Sequence, residues 1–222
     1  GIGRVRIALG RASRADQWYS QYLKKAREEF RLEGADVLRK LSKANHGITR
    51  KDMPLLDYNE FLIEWQARAS KAFGPTLAET LLQAAQFAIT EEGLTVSLNN
   101  DLIIQFSKDY TFKFAQRLGG TSVEDVRAIL LSAERESLTL PTIVANLETK
   151  FQEWSDFRAD MVARSETIRA ANYGAREGWR QAGITRIQWL AGMDGCEYCL
   201  ALDGKEIAID ESFLELGEDF MP

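Results

Sequence analysis

Cys196 and Cys199 are the only cysteines of the chain, and His46 is its only histidine. Two thiolates separated by two residues can meet one tetrahedral ion at about 2.3 Å, so the pair supplies half of a zinc knuckle. Three readings of it stand side by side. One is a structural zinc site completed by residues that follow Pro222, one a reduced, metal-free pair packed in a turn, and one a disulfide or redox pair. The last suits the residues least. Redox cysteines sit at helix N-termini, where the dipole lowers the thiol pKa, whereas here a strand is read before the pair and Asp194, Glu197 and Asp203 would raise it. A single imidazole leaves Ser-His-Asp triads, Cys-His pairs and His-rich metal centres short of parts. His46 itself lies in a polar loop with no thiol or carboxylate arranged around it, and no role is read for it. Asp194, Glu197, Asp203 and Glu206 could surround the ion of a metal-dependent hydrolase or nuclease, but only Lys205 accompanies them, without a base or nucleophile.

A second group of residues suggests binding. Residues 1–50 carry 12 Lys/Arg against 5 Asp/Glu, although the 222-residue chain as a whole has a net charge of −5. Arg4, Arg6, Arg11, Arg14, Lys24, Lys25, Arg27 and Arg31 could neutralise phosphates, and Trp18, Tyr19 and Tyr22 interleave with them. The helical spacing of these aromatics makes them core residues sooner than base-stacking platforms. A basic arm docking on an acidic protein surface accounts for the charges as well as DNA does, and a solvated face is the plainer alternative. The other end is acidic: from Leu190 to Pro222 nine carboxylates face Lys205 alone. Arg158, Arg169, Arg176 and Arg180, with Arg164 beside them, read as a solvated helix face paired with Glu166 and Glu177.

The elements that must carry these residues are mostly helical. Trp18, Tyr22, Ala26 and Phe30 recur every four positions, predicting a helix from Asp16 to about Lys43, with Gly34 as a bend or break. Helices are predicted over Asn59–Phe73 and Thr76–Glu92, separated by Pro75 at a first-turn position. Another runs over Asn100–Leu118, ended by Gly119-Gly120, and a short one over Val123 to Glu134 opens on Ser122-x-x-Asp125, which resembles a capping box. Pro141 opens the next. A long helix follows over Asp156–Ala182, with a seven-residue echo of Trp154, Met161, Ile168, Ala175 and Ala182, and Gly183 stops it. The period then switches to two: Ile184 to Leu190 and Lys205 to Asp210 read as the strands of a small hairpin. Apolar residues make up 45% and charged ones 27%, a globular composition with no apolar run long enough to span a membrane. The absence of an initiator Met and the charged end at Met221-Pro222 suggest a piece of a longer protein.

The run Ala163-Arg-Ser-Glu-Thr-Ile-Arg-Ala-Ala-Asn-Tyr-Gly174, followed by Gly183, Trp189, Asp194, Cys196-x-x-Cys199 and Leu202-Asp203-Gly204-Lys205, resembles the phage head-morphogenesis family, the Mu F-like minor head proteins. The resemblance is close over roughly residues 155–213 and only in outline before that. The periodicity gives a fold that is mainly α, with an elongated helical body over 1–154 and a basic N-terminal stretch, and the resemblance implies a helix plus β-hairpin (α+β) unit over 155–222, truncated at its C-terminus. It implies a non-enzymatic role in capsid assembly and DNA packaging near the portal vertex inside the virion. The implied partners are the portal protein, scaffold or major capsid protein, and packaged double-stranded DNA, with no membrane. The family pattern also implies a downstream His and Cys-x-Cys that would complete a zinc site with Cys196 and Cys199, while Trp189, Asp194 and Gly204 would be structural anchors. Asp194 stands one residue from Cys196 where the family loop is longer, a departure at that position. Ser165-Glu166 occupies the family's Thr-Glu position and reads as packing or a helix-to-hairpin hydrogen bond. Asn172 and Gly174 read as structural too. Mu F-like modules also resemble the front part of some larger toxins, so a delivery module is the alternative.

Overall fold

The structure is a computed structural model that describes residues 5–6, 12–44, 57–136, 138–192 and 195–214. In chain order it comprises β1 (Val5–Arg6), α1 (Ala12–Ala44), α2 (Tyr58–Glu91), α3 (Asn100–Arg135), α4 (Leu140–Glu153), a π-helical turn (Trp154–Arg158), α5 (Ala159–Gln181), β2 (Arg186–Gln188), α6 (Glu197–Ala201) and β3 (Glu206–Ala208). The protein is mainly α with a small C-terminal β-hairpin, as the periodicity predicts. β2 lies in the middle of the sheet, antiparallel to β3 with Ile187 opposite Ile207, and β1 adds in parallel on its other side. None of the described helices is long and apolar enough to cross a membrane.

Four predicted helix breaks are overturned. Gly34 does not interrupt α1: a Cβ there would lie 2.8 Å from the Phe151 ring, which its absence makes room for. Pro75 lies inside α2, which runs through as one helix. Gly74 before it has no Cβ to meet the proline ring, and Pro75 and Lys71 are both exposed, so water can reach the carbonyl that loses its donor. Gly119-Gly120 does not end α3 either, since a Cβ at Gly119 would lie 2.8 Å from Leu62 and 2.9 Å from Trp65. Ser122, read as an N-cap, is instead a buried mid-helix residue whose hydroxyl donates to the Leu118 carbonyl at 3.2 Å. At Gly34, Gly119 and Ser122 a glycine or hydroxyl that looks like punctuation is used for close packing. By contrast, Gly183 does stop α5, with φ +81° and an Ile184 N–H returning to the Trp179 carbonyl.

By its contacts the chain sorts into two compact units, one of residues 1–20, 76–107 and 164–222, the other of 21–75 and 108–163. They interleave in sequence, whereas the sequence reading divides the chain at 154/155, because α1, α2, α3 and α5 each contribute residues to both. The first unit holds the hairpin, whose Ile187, Ile207, Ile209 and Phe213 form one buried cluster with Ala175 and Trp179 of α5 and Ala88 of α2. The second is helical, with Phe30, Phe61, Trp65, Phe73 and Leu147 fully buried. The seven-residue echo does not mark one buried face. Trp154 and Ala175 are buried but Met161 and Ile168 are exposed.

Candidate functional site

The residues of the motif come together as a helix with a hairpin docked on it. On α5, Gly174 and Gly178 stand four apart on one face, against α2. A Cβ at Gly174 would lie 2.4 Å from the Leu81 carbonyl oxygen and 2.8 Å from Ala84 Cβ, and one at Gly178 would lie 2.6 Å from the Ala85 oxygen. Only glycine admits this backbone approach. Trp18 of α1 braces the same part of α2 by donating its indole N–H to Gln83 at 2.7 Å.

Arg176 fastens the hairpin to α5. Its guanidinium donates to the carbonyl oxygens of Ile209 and Glu211, each at 2.6 Å. The arginine face of the sequence reading is thereby divided. Arg169 pairs with Glu166 at 2.8 Å and Arg180 with Glu177 at 2.6 Å, as read, but Arg176 serves the hairpin and Arg158 is buried in the other unit. Burial pushes the Glu177 carboxyl up, but hydrogen bonds from Arg180 and Gln181 outweigh it and hold it below the usual carboxylate range.

The connection between β2 and β3 carries the rest. Trp189 and the 204–205 segment exchange backbone hydrogen bonds, Trp189 N–H to Lys205 O and Gly204 N–H to Trp189 O, both at 2.9 Å. Gly204 takes φ +77°, which favours glycine. The Asp203 carboxylate accepts the Ala191 N–H at 2.9 Å, and Lys205 Nζ donates to the Phe213 carbonyl at 2.9 Å. The Trp189 ring meets Phe213 edge-on at 5.3 Å. Trp189 and Gly204 therefore sit as anchors; Asp194 lies outside the described residues.

The cysteines differ from the reading in one respect. Cys196 is the N-cap of α6 and Cys199 lies within that helix, so the pair sits at a helix N-terminus, and the absence of such a helix no longer counts against the redox reading. The N–H of Cys199, its thiol and the N–H of Tyr198 hold the Cys196 thiol below its ordinary range, while the Cys199 thiol is raised by its bond to Cys196. The Sγ atoms stand 3.6 Å apart. Two thiolates on a tetrahedral ion at about 2.3 Å stand about 3.8 Å apart, so the pair fits zinc as two of its ligands. Among the described residues no group of three or more His, Cys, Asp or Glu side chains could hold a metal. Of the acids considered for a nuclease centre, Asp203 is engaged in the turn and Glu206 faces Arg186 at 3.5 Å.

Protein-family models, curated proteins and solved structures contain no match to this chain. The function therefore has to be read from the residues. Of the basic group, Arg4, Arg11 and His46 lie outside the described residues, and Arg6 is described only as β1 backbone. Arg14 lies over the Phe87 ring at 4.4 Å, Lys24 is exposed and Lys25 half-buried. Trp18 and Tyr22 are buried and Tyr19 half-buried beneath Arg164, as expected of core aromatics. Sequence reasoning missed Gly178, Phe213 and the use of Arg176. The spacing Gly174-x-x-x-Gly178 was the available signal for the first, and nothing local to Phe213 or Arg176 marks their partners.

Proposed function

We propose that the protein is a structural minor head protein of a tailed phage or prophage, acting in capsid assembly and DNA packaging near the portal vertex. One observation supports this reading above others. The residues through which the chain resembles the head-morphogenesis family, Gly174, Trp189, Asp203, Gly204 and Lys205, make the internal contacts that close the helix–hairpin unit. Their value to the protein is then a fixed shape, which is what an assembly component needs. The portal, scaffold or major capsid protein are the partners in this proposal, with packaged double-stranded DNA as a further contact for the basic residues Arg14, Lys24 and Lys25. Cys196 and Cys199 would contribute two thiolates to a zinc ion that ties the hairpin connection to further ligands. The ion would supply cross-linking of the fold rather than catalysis.

The test is the position of the protein in intact particles. Purified virions and proheads, analysed by quantitative mass spectrometry and by labelling of opened and closed shells, are expected to contain it inside the shell at the portal end. Finding it only outside the shell, or missing from both particles, overturns the proposal. For the DNA contact, duplex affinity is expected to fall steeply with salt, and binding without such a slope refutes phosphate contact.

A further inference from the structure

The helical unit formed by residues 21–75 and 108–163 contains a polar cluster that the head-protein reading does not use. Glu33 of α1 is fully buried, and neither of its carboxyl oxygens has a hydrogen-bond partner. Two donors from α2, Trp65 Nε1 and Arg68 Nη2, are likewise buried and unpartnered. Arg158, the last residue of the π turn, is 8% exposed; it donates to Ser122 Oγ at 3.0 Å and to the Leu118 carbonyl at 2.8 Å, both on α3. Its guanidinium lies over the Phe30 and Trp154 rings at 5.1 and 4.9 Å. The π turn turns Arg158 inward and leaves its neighbour Phe157 76% exposed.

An acid without partners in a closed interior is costly when ionised and much less so when neutral. Burial pushes Glu33 up to about 7, although the Ser122 and Trp65 donors, near it but too far or too poorly aligned for full hydrogen bonds, and the charges of Arg158 and Arg68 pull the other way. The charged groups around it are few. Arg68 of α2 is bonded through Nε to Glu29 of α1 at 3.1 Å, so its charge is largely answered. Arg158 is answered by Asp125 of α3 as well as by Glu33. From α4, the uncharged Phe151 packs against Gly34, next to Glu33. Ionised Glu33 would therefore compete for Arg158, Trp65 and Arg68, and Arg158 cannot turn toward it without loosening its hold on Ser122 and Leu118.

We propose that Glu33 and Arg158 form a proton-operated lock in this helical unit, closed while Glu33 is neutral and loosened when it ionises. A carboxyl that keeps its proton in the fold and loses it in the unfolded chain stabilises the fold in acid. That stability is lost as pH rises through the folded-state value. The lock makes the unit tightest in mild acid and loosest above neutrality.

The experiment is denaturant unfolding of the full chain between pH 5 and pH 8.5, wild type beside Glu33→Gln, with carbon-13 NMR of the glutamate carboxyls. The difference between the two proteins isolates Glu33 from every other titrating group. The wild-type unfolding constant is expected to rise about tenfold or more across this range relative to the variant, and one glutamate carboxyl is expected to titrate near neutrality and to vanish in Glu33→Gln. Equal pH slopes for the two proteins overturn the proposal. Should Glu33→Gln fail to fold, the wild-type NMR titration decides alone: all glutamate carboxyls titrating in the ordinary range refutes the lock.

Discussion

Replacing Gly174 by alanine probes the contact on which the helix–hairpin unit depends. In an ordinary helix the substitution stabilises by about 1 kcal/mol, because alanine loses less backbone entropy. Here the added Cβ would lie 2.4 Å from the Leu81 carbonyl oxygen, 2.8 Å from Ala84 Cβ and 3.1 Å from the Leu81 carbonyl carbon. The first and third of these are backbone atoms of α2, which no rotamer change can remove. α5 must move by well over half an ångström, and with it the hairpin cluster built on Ala175 and Trp179. Overpacking costs about 1–3 kcal/mol, and a backbone clash belongs at the upper end. Set against the propensity gain, the net loss is about 2 kcal/mol, roughly a thirtyfold change in the unfolding constant and, for a chain of this size, about 4–8 °C in Tm. Gly120→Ala is the control, since a Cβ there meets nothing within 4 Å and the same change should stabilise by about 0.5–1 kcal/mol. Adding Ala84→Gly to Gly174→Ala should recover only part of the loss, because the carbonyl contact stays. Denaturant melts followed by tryptophan fluorescence read all four proteins. Gly174→Ala at least as stable as wild type would refute the close approach of α5 to α2.

Phe213→Ala should cost about 3–5 kcal/mol, the usual range for a buried aromatic, and blue-to-red movement of Trp189 emission in the folded protein would show the lost edge contact. Arg176→Met should speed amide hydrogen exchange in β2 and β3 while leaving α4 unchanged, since it removes the donors to the Ile209 and Glu211 carbonyls. The Glu177 carboxyl is held low by Arg180 and Gln181, so its stabilisation is present above the ordinary glutamate pKa and lost as pH falls through the folded value. Arg180→Gln should flatten that acid limb of the stability profile and cost under about 1 kcal/mol at neutral pH, because Arg180 is largely exposed. Replacing both Cys196 and Cys199 by serine without added metal should change stability by no more than about 0.5 kcal/mol, as surface side chains do. A larger loss in calorimetry would mean that the thiols carry weight in the metal-free fold.

What could be read without coordinates was what adjacent residues decide among themselves. The four-residue spacing of Trp18, Tyr22, Ala26 and Phe30 makes α1, the alternation after Gly183 makes the hairpin, and the left-handed turns at Gly183 and Gly204 follow from the residue that best tolerates them. The grouping of Trp189, Asp203 and Gly204 in one turn was legible for the same reason, because a hairpin brings them together over a short stretch of chain. The long-range partners were not. Gly34, Gly119, Gly174 and Ser122 read as breaks, a place of approach and a cap, because local sequence does not say what stands opposite. Opposite them are Phe151, Trp65, the Leu81 carbonyl and Arg158. Nor did spacing show that Arg158 would be turned inward at a π turn, onto Ser122 and the Leu118 carbonyl. The sequence by itself determined the main helical runs and the two hairpin strands, through periodicity and backbone preference, but not where one helical run continues into the next. The tertiary structure alone decided which small or polar residues are packing devices, because close approach and desolvation are properties of the neighbour across the gap.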